Sequence, residues 1–167
     1  MNPESQKKRV GPILSKEFKN SWCILRQAIE NIPDKYWLKS VNDWSFSLTI
    51  YHIIETAEFY SRDTPEGMKW GKRAGINLET DSNEMIDRKQ ANITKELLLV
   101  YLGEIEEQIA KYIENFKDDD LYEKDGFDPH LKSILEKLLY LLRHNMHHIG
   151  ELNKTLRDWD CQRISWR

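Results

Sequence analysis

Apolar residues recur at steps of three and four along four separate segments of this chain. That spacing matches one face of an α-helix and leaves little room for other structure. The first segment carries Leu14, Phe18, Trp22, Leu25, Ile29 and Ile32, and Pro33 closes it. The second opens at Ser45, a hydroxyl suited to an N-cap, and runs through Leu48, His52 and Phe59 to about Arg62. The third begins near Thr94 and holds Leu98, Tyr101, Ile105, Ile109, Tyr112 and Phe116. The fourth is predicted to start at Asp128 with Pro129 in its first turn. It continues through Ile134, Leu138, Leu141, Leu142, Ile149, Leu152 and Leu156 to about Trp159, roughly 30 residues or about 45 Å of helix. No apolar–polar alternation is long enough to predict a strand. Four amphipathic helices imply an all-α fold, a four-helix bundle. The 167 residues suit one domain over 1–167, its core about 11–160, large enough to stand without disulfides.

Composition narrows the function classes. A net charge of −3 gives no basic face for nucleic acid. No apolar run approaches the length of about 18 residues that spans a membrane. The opening MNPESQKKRVGP has basic residues without an apolar stretch behind them, so no secretory signal is expected. Cys23 and Cys161 are isolated and suggest reduced thiols in a cytoplasmic protein.

Between Arg62 and Thr94 lies a connection holding Pro65, Gly67, Gly71 and Gly75, with Met68, Trp70 and Met85 among them. A connection of about 30 residues is long for a compact domain and reads as a lid or binding loop, or as the host of a short helix around Asn83 to Gln90. The acidic run Asp118–Asp119–Asp120 reads as a solvated turn.

Three histidines carry the chemistry. His144 and His148, four residues apart, stack one turn apart on one helix face, a spacing at which two imidazoles can hold one metal ion. Leu141 and Leu152 flank them by one turn on either side, and Leu48 precedes His52 by one turn. A single histidine on an apolar stripe is commonly a hydrogen-bonded core residue. Three buried without partners would be costly, and a shared metal satisfies them together. His147 is rotated about 100° from His148 and groups with Arg143 and Glu151 on the polar face. His130 falls near solvent in the first turn of the predicted fourth helix. Glu55, one turn after His52, reads as a ligand, as an acceptor behind one, or as an exposed or salt-bridged carboxylate. Asn145 faces another helix.

Trp44–Ser45 leading into a helix with His52, followed by RHNMHHIGEL near the C-terminus, resembles the DinB/YfiT-like superfamily of metal-dependent enzymes. That family's C-terminal ligand segment reads histidine, three residues, histidine, any residue, glycine, glutamine. His144, His148 and Gly150 fit it, and Glu151 stands where glutamine is common. The resemblance runs from about Leu14 to Trp159. It implies a four-helix bundle, a metal held by His52, His144 and His148, and a homodimer. It also implies relatives that include thiol S-transferases using low-molecular-weight thiols such as bacillithiol, and a mycothiol-dependent isomerase.

Three imidazoles leave coordination positions open for water or substrate. Three histidines without a carboxylate suit zinc or nickel. A thiolate is the attacking species in S-transfer, so metal-assisted thiol transfer to a small electrophile is the first functional expectation. Metal-assisted hydrolysis is the second, although the sequence offers no evident general base. A metal-binding bundle without chemistry is the third. The sequence assigns no catalytic group beyond the metal set.

Overall fold

A computed structural model describes residues 10–41, 44–127 and 130–165. Four long helices form the frame: α1 (Val10–Asn31), α2 (Phe46–Tyr60), α4 (Lys95–Glu114) and α5 (Ile134–Asp158), with the short α3 (Asn83–Lys89) between α2 and α4. α1 and α2 each pack against both α4 and α5. The long helices therefore form a four-helix bundle in which α2 and α5 are direct neighbours. None of the described helices is long and apolar enough to cross a membrane.

Local chemistry explains the helix starts. The hydroxyls of Ser45, Ser82, Thr94 and Ser133 each accept a hydrogen bond from the backbone N–H three residues on, satisfying one of the amides a helix N-terminus leaves free. At the other end of α1 the Lys95 ammonium donates to the Ile32 carbonyl at 2.6 Å and pairs with Asp34 at 2.9 Å. The start of α4 is thereby tied to the end of α1.

The fourth long helix differs from its sequence reading. It begins after Ser133, not at Asp128, and is 25 residues long; Asp128 and Pro129 lie outside the described residues. The missed signal is Ser133–Ile134–Leu135–Glu136, a serine followed three residues later by glutamate. The Ser133 hydroxyl accepts from the Glu136 amide, and the Glu136 carboxylate accepts from the Lys132 amide at 2.7 Å. His130 consequently sits in an exposed turn before the helix rather than in its first turn. A two-residue antiparallel ladder, Ser40–Val41 with Trp44–Ser45, also escaped the sequence reading, because two residues carry no alternation to read.

The core follows the stripes read from the sequence on α1, α4 and α5, but on α2 it is Ile50, Ile53 and Ile54 that are fully buried, while Leu48 and Phe59 are only partly so. Phe18, Trp22, Leu25 and Ile29 of α1, Ile50, Ile53 and Ile54 of α2, Leu98, Leu102, Ile105 and Ile109 of α4, and Leu138, Leu141, Leu152 and Leu156 of α5 belong to one buried cluster. A lysine is buried with them. Lys137 donates to the Tyr112 hydroxyl at 2.8 Å, pairs with Asp125, and sits over the Phe127 ring at 3.9 Å. A buried ammonium is tolerable with this many partners.

The connection from Asp63 to Ile93 is ordered by its own contacts. It contains 3-10 turns at Lys72–Ala74 and Gln90–Asn92 as well as α3, so the short helix foreseen around Asn83 is present. Arg73 ties it to Glu104 of α4, and the Asn92 amide bonds the Ala74 carbonyl across it at 3.0 Å. Gly71 has a φ of 80°, a left-handed conformation that glycine adopts without strain. A Cβ there would lie 2.7 Å from the Ile76 carbonyl oxygen.

Candidate metal centre

His52 sits in the second turn of α2, and His144 and His148 sit mid-way along α5. Because these two helices pack directly, the three rings meet across their interface. His52 Nε2 and His144 Nε2 are 3.0 Å apart. The His148 ring centroid lies 5.2 Å from that of His52 and 4.7 Å from that of His144. One ring nitrogen from each of the three lies within 4.8 Å of the others, so the trio can hold a metal ion. A tetrahedral zinc with bonds of about 2.0–2.1 Å needs nitrogens roughly 3.3–3.4 Å apart. The His52–His144 pair is within a few tenths of an ångström of that spacing, and His148 lies close enough to complete the set.

The protonation states suit that role. Burial, reinforced by the neighbouring histidines, lowers the pKa of His52 to about 4, and burial followed by the charge of His148 lowers that of His144 to about 4. Both rings are neutral at pH 7, the form that ligates metal. Without a metal, one Nε2–H can donate to the other Nε2, but His144 Nδ1 remains buried without a hydrogen-bond partner.

His148 is oriented from behind. Its Nδ1 lies 2.8 Å from Glu151 Oε2. Nδ1–H donates to the carboxylate, so the Nε2 lone pair is left for the cluster. The sequence reading placed Glu151 with the polar face. The structure instead puts it against a member of the trio, one turn along at i+3, a spacing that was available to be read. His147, with 68% of its side chain exposed, reaches Glu151 at 3.7 Å and not His52 or His144. His147, His148 and Glu151 are also close enough to hold an ion, but Glu151 already accepts from His148.

Glu55 is neither a member of the trio nor the exposed carboxylate considered above. It is buried, 5% exposed. Its Oε1 accepts from the Tyr51 hydroxyl at 3.1 Å and from the Gly71 amide at 2.6 Å. Burial raises its pKa to about 7 against the opposing pull of those two donors. Asn145 is fully buried, as expected for a residue facing another helix.

A cavity of about 430 Å³ opens beside His52. Trp44, Leu48, Tyr51, His52 and Glu55 line it on the α2 side; Trp70, Gly71, Ile76, Leu78 and Ile86 line it from the long connection. The connection is therefore a wall of this cavity. The Trp44 ring lies edge-on to His52, centroids 4.7 Å apart, at the boundary between cluster and cavity.

The family model for the DinB superfamily matches residues 17–152, a span from α1 into α5 that includes all three histidines. This chain belongs to the DinB superfamily. No curated protein matches the sequence significantly. Within this DinB chain the tryptophan–serine pair before α2 has a structural meaning: Ser45 caps the helix that carries His52 and Trp44 packs on the His52 ring. The cavity residues Trp70, Ile76 and Ile86 lie in a segment without periodicity, where no sequence rule assigns a facing.

Proposed function

We propose that this DinB protein is a divalent-metal-dependent transferase that moves the sulfur of a small thiol onto an electrophilic carbon, with His52, His144 and His148 as the metal ligands. The observation that carries the reading is the cavity beside His52. A cluster of three imidazoles whose member His52 lines a 430 Å³ space is placed for a reacting molecule, whereas a purely structural centre is closed by a fourth protein ligand. Zinc or nickel fits the donor set, and such an ion supplies Lewis acidity that lets a thiol ionise near neutral pH. The thiol itself comes from the resemblance to low-molecular-weight-thiol transferases.

The chain's own residues do the rest. His148 is held in register by Glu151, and His52 is held by its capped helix and by Trp44. Sulfur forms its bond to the carbon as that carbon's bond to the leaving group breaks. The leaving group departs with the electron pair, and the thiol proton passes to solvent. Trp70, Ile76 and Ile86 keep the electrophile's side of the space apolar, which limits competing attack by water.

Metal-dependent hydrolysis stands as the second reading, favoured by one observation. Glu55 borders the cavity with a pKa of about 7, which is where a general base works best at neutral pH. A panel separates the two. Metal-verified protein is offered bacillithiol, cysteine and glutathione with a chloro-dinitro-aromatic or an epoxide, and in parallel aryl esters and amides. Thioether formation that is lost in His52→Ala, with the fold intact by circular dichroism, supports the transferase. Ester or amide cleavage with no thioether selects the hydrolase. We also propose a homodimer, on the strength of the resemblance, and a cytoplasmic location, on the strength of the isolated cysteines. Light scattering on micromolar protein tests the dimer, and a mass near 20.0 kDa overturns it.

A further inference from the structure

The cavity beside His52 has a chemical character that selects what enters it. Its lining includes two acidic residues, Glu55 and Asp87, and among the described residues no lysine or arginine. Its walls offer two indoles, Trp44 and Trp70, together with Leu48, Ile76 and Ile86. At its floor Glu55 uses Oε1 for the Tyr51 and Gly71 donors, while Oε2 makes no hydrogen bond among the described residues. That second oxygen is reached by solvent rather than sealed, so it can accept from a ligand's donor. On the other side of Glu55 lies a second cavity of about 390 Å³, bordered by Arg62, Lys69, Lys72 and Arg73. The cations of this region thus line the space away from the histidines.

We propose that the molecule seated beside His52 is an amine with a flat apolar body: the body lies against Trp44 and Trp70, and the ammonium donates to Glu55. Aromatic faces attract cations, most strongly where water is excluded. A charge-assisted hydrogen bond to a buried carboxylate is roughly twice as strong as a neutral one. An anion of the same shape meets two lining carboxylates, and the positive charge it would find is that of the ion held by the histidines. The proposal names the electrophile class for the transferase reading and rests on that reading for its meaning. Its test is binding alone, without thiol or turnover, so the two fail separately.

Three probes share one naphthalene body: 1-naphthylmethylamine, protonated at pH 7.5; 1-naphthalenemethanol, neutral; and 1-naphthalenesulfonate, anionic and a poor metal ligand. Calorimetry on full-length, metal-verified protein is expected to give the amine at least tenfold tighter binding than the alcohol, with no displacement of the amine by the sulfonate. Glu55→Gln is expected to weaken the amine about tenfold and leave the alcohol within twofold, at unchanged metal content. Trp70→Ala is expected to weaken both. Should Glu55→Gln fail to fold, Leu78→Lys serves instead. Leu78 is 58% exposed at the cavity rim, so the variant keeps the core and brings a cation to the mouth, and the amine should weaken about tenfold. The proposal is overturned if the sulfonate competes with the amine, or if amine affinity is unchanged in the variant that folds.

Discussion

His52 Nε2 and His144 Nε2 stand 3.0 Å apart although 92 residues separate them in sequence. Packing of α2 on α5 brings them there, and His148 completes the trio from one turn further along α5. We expect purified untagged protein to carry about one divalent ion per chain. Elemental analysis of a His144→Ala, His148→Ala double variant should show it lost, while His147→Ala, altered at an exposed side chain, should retain it. Wild-type metal content in the double variant would end the assignment of these residues as ligands.

Glu151 acts on the centre through His148. Carboxylates that orient a ligating histidine commonly contribute 10–100-fold to metal affinity. Glu151→Ala is therefore expected to weaken zinc binding within about that range, measured by competition with a chromophoric chelator. Glu151→Gln should lose less, because a glutamine carbonyl still accepts from Nδ1–H. Equal affinity in Glu151→Ala and wild type would show that the 2.8 Å contact does not orient the ring.

How far the sequence disclosed this arrangement differs from place to place, for physical reasons. The four long helices were readable because a helix repeats its environment every 3.6 residues, and the Ser45 cap because its hydroxyl precedes such a repeat. The trio was readable because two of its members share one helix face and the third sits on another apolar stripe. The burial of Glu55 was not readable because only one of its partners, Tyr51, lies on its own helix. The amide of Gly71, 16 residues away, reaches it only through a turn that periodicity does not describe. The start of α5 was misplaced because Asp128–Pro129 and Ser133 both satisfy N-terminal rules, and local rules do not rank competing caps. The cavity walls contributed by Trp70, Ile76 and Ile86 belong to a segment whose course is set by tertiary contacts.

The pH dependence of metal-free protein should expose opposing groups at this site. His52 and His144 have folded pKa values of about 4, below the unfolded value of 6.5. Between those limits the unfolded chain holds more protons on them, so their contribution to stability is present above pH 6.5 and is lost as pH falls toward 4. Glu55 acts in the other sense. Its folded pKa of about 7 exceeds the unfolded 4.5, so the native state holds the extra proton and stability from Glu55 is lost as pH rises from 4.5 to 7. From pH 4.5 to 6.5 two histidines oppose one glutamate. The net effect is at most about 1.4 kcal/mol of stability gained per pH unit, before solvent screening reduces it. Urea midpoints across this range should rise with pH. His52→Gln should flatten the slope and Glu55→Gln should steepen it. The opposite ranking of the two variants would show that these groups do not titrate as described.

Gly71 joins the long connection to the floor of the cavity. Its φ of 80° lets the amide reach Glu55 at 2.6 Å, and a Cβ would meet the Ile76 carbonyl oxygen at 2.7 Å. Placing an L-residue in that backbone conformation costs about 1–2 kcal/mol before any clash is counted. Gly71→Ala is expected to lower the stability measured by urea unfolding by at least about that amount. Metal content should not change, because His52, His144 and His148 belong to α2 and α5 and not to the connection. The damage should therefore fall on the cavity: 1-naphthylmethylamine should bind more weakly as Ile76 and Glu55 shift. A Gly71→Ala protein that keeps full stability and full amine affinity would show that the turn tolerates a side chain and that the Gly71–Glu55 contact does not shape the cavity.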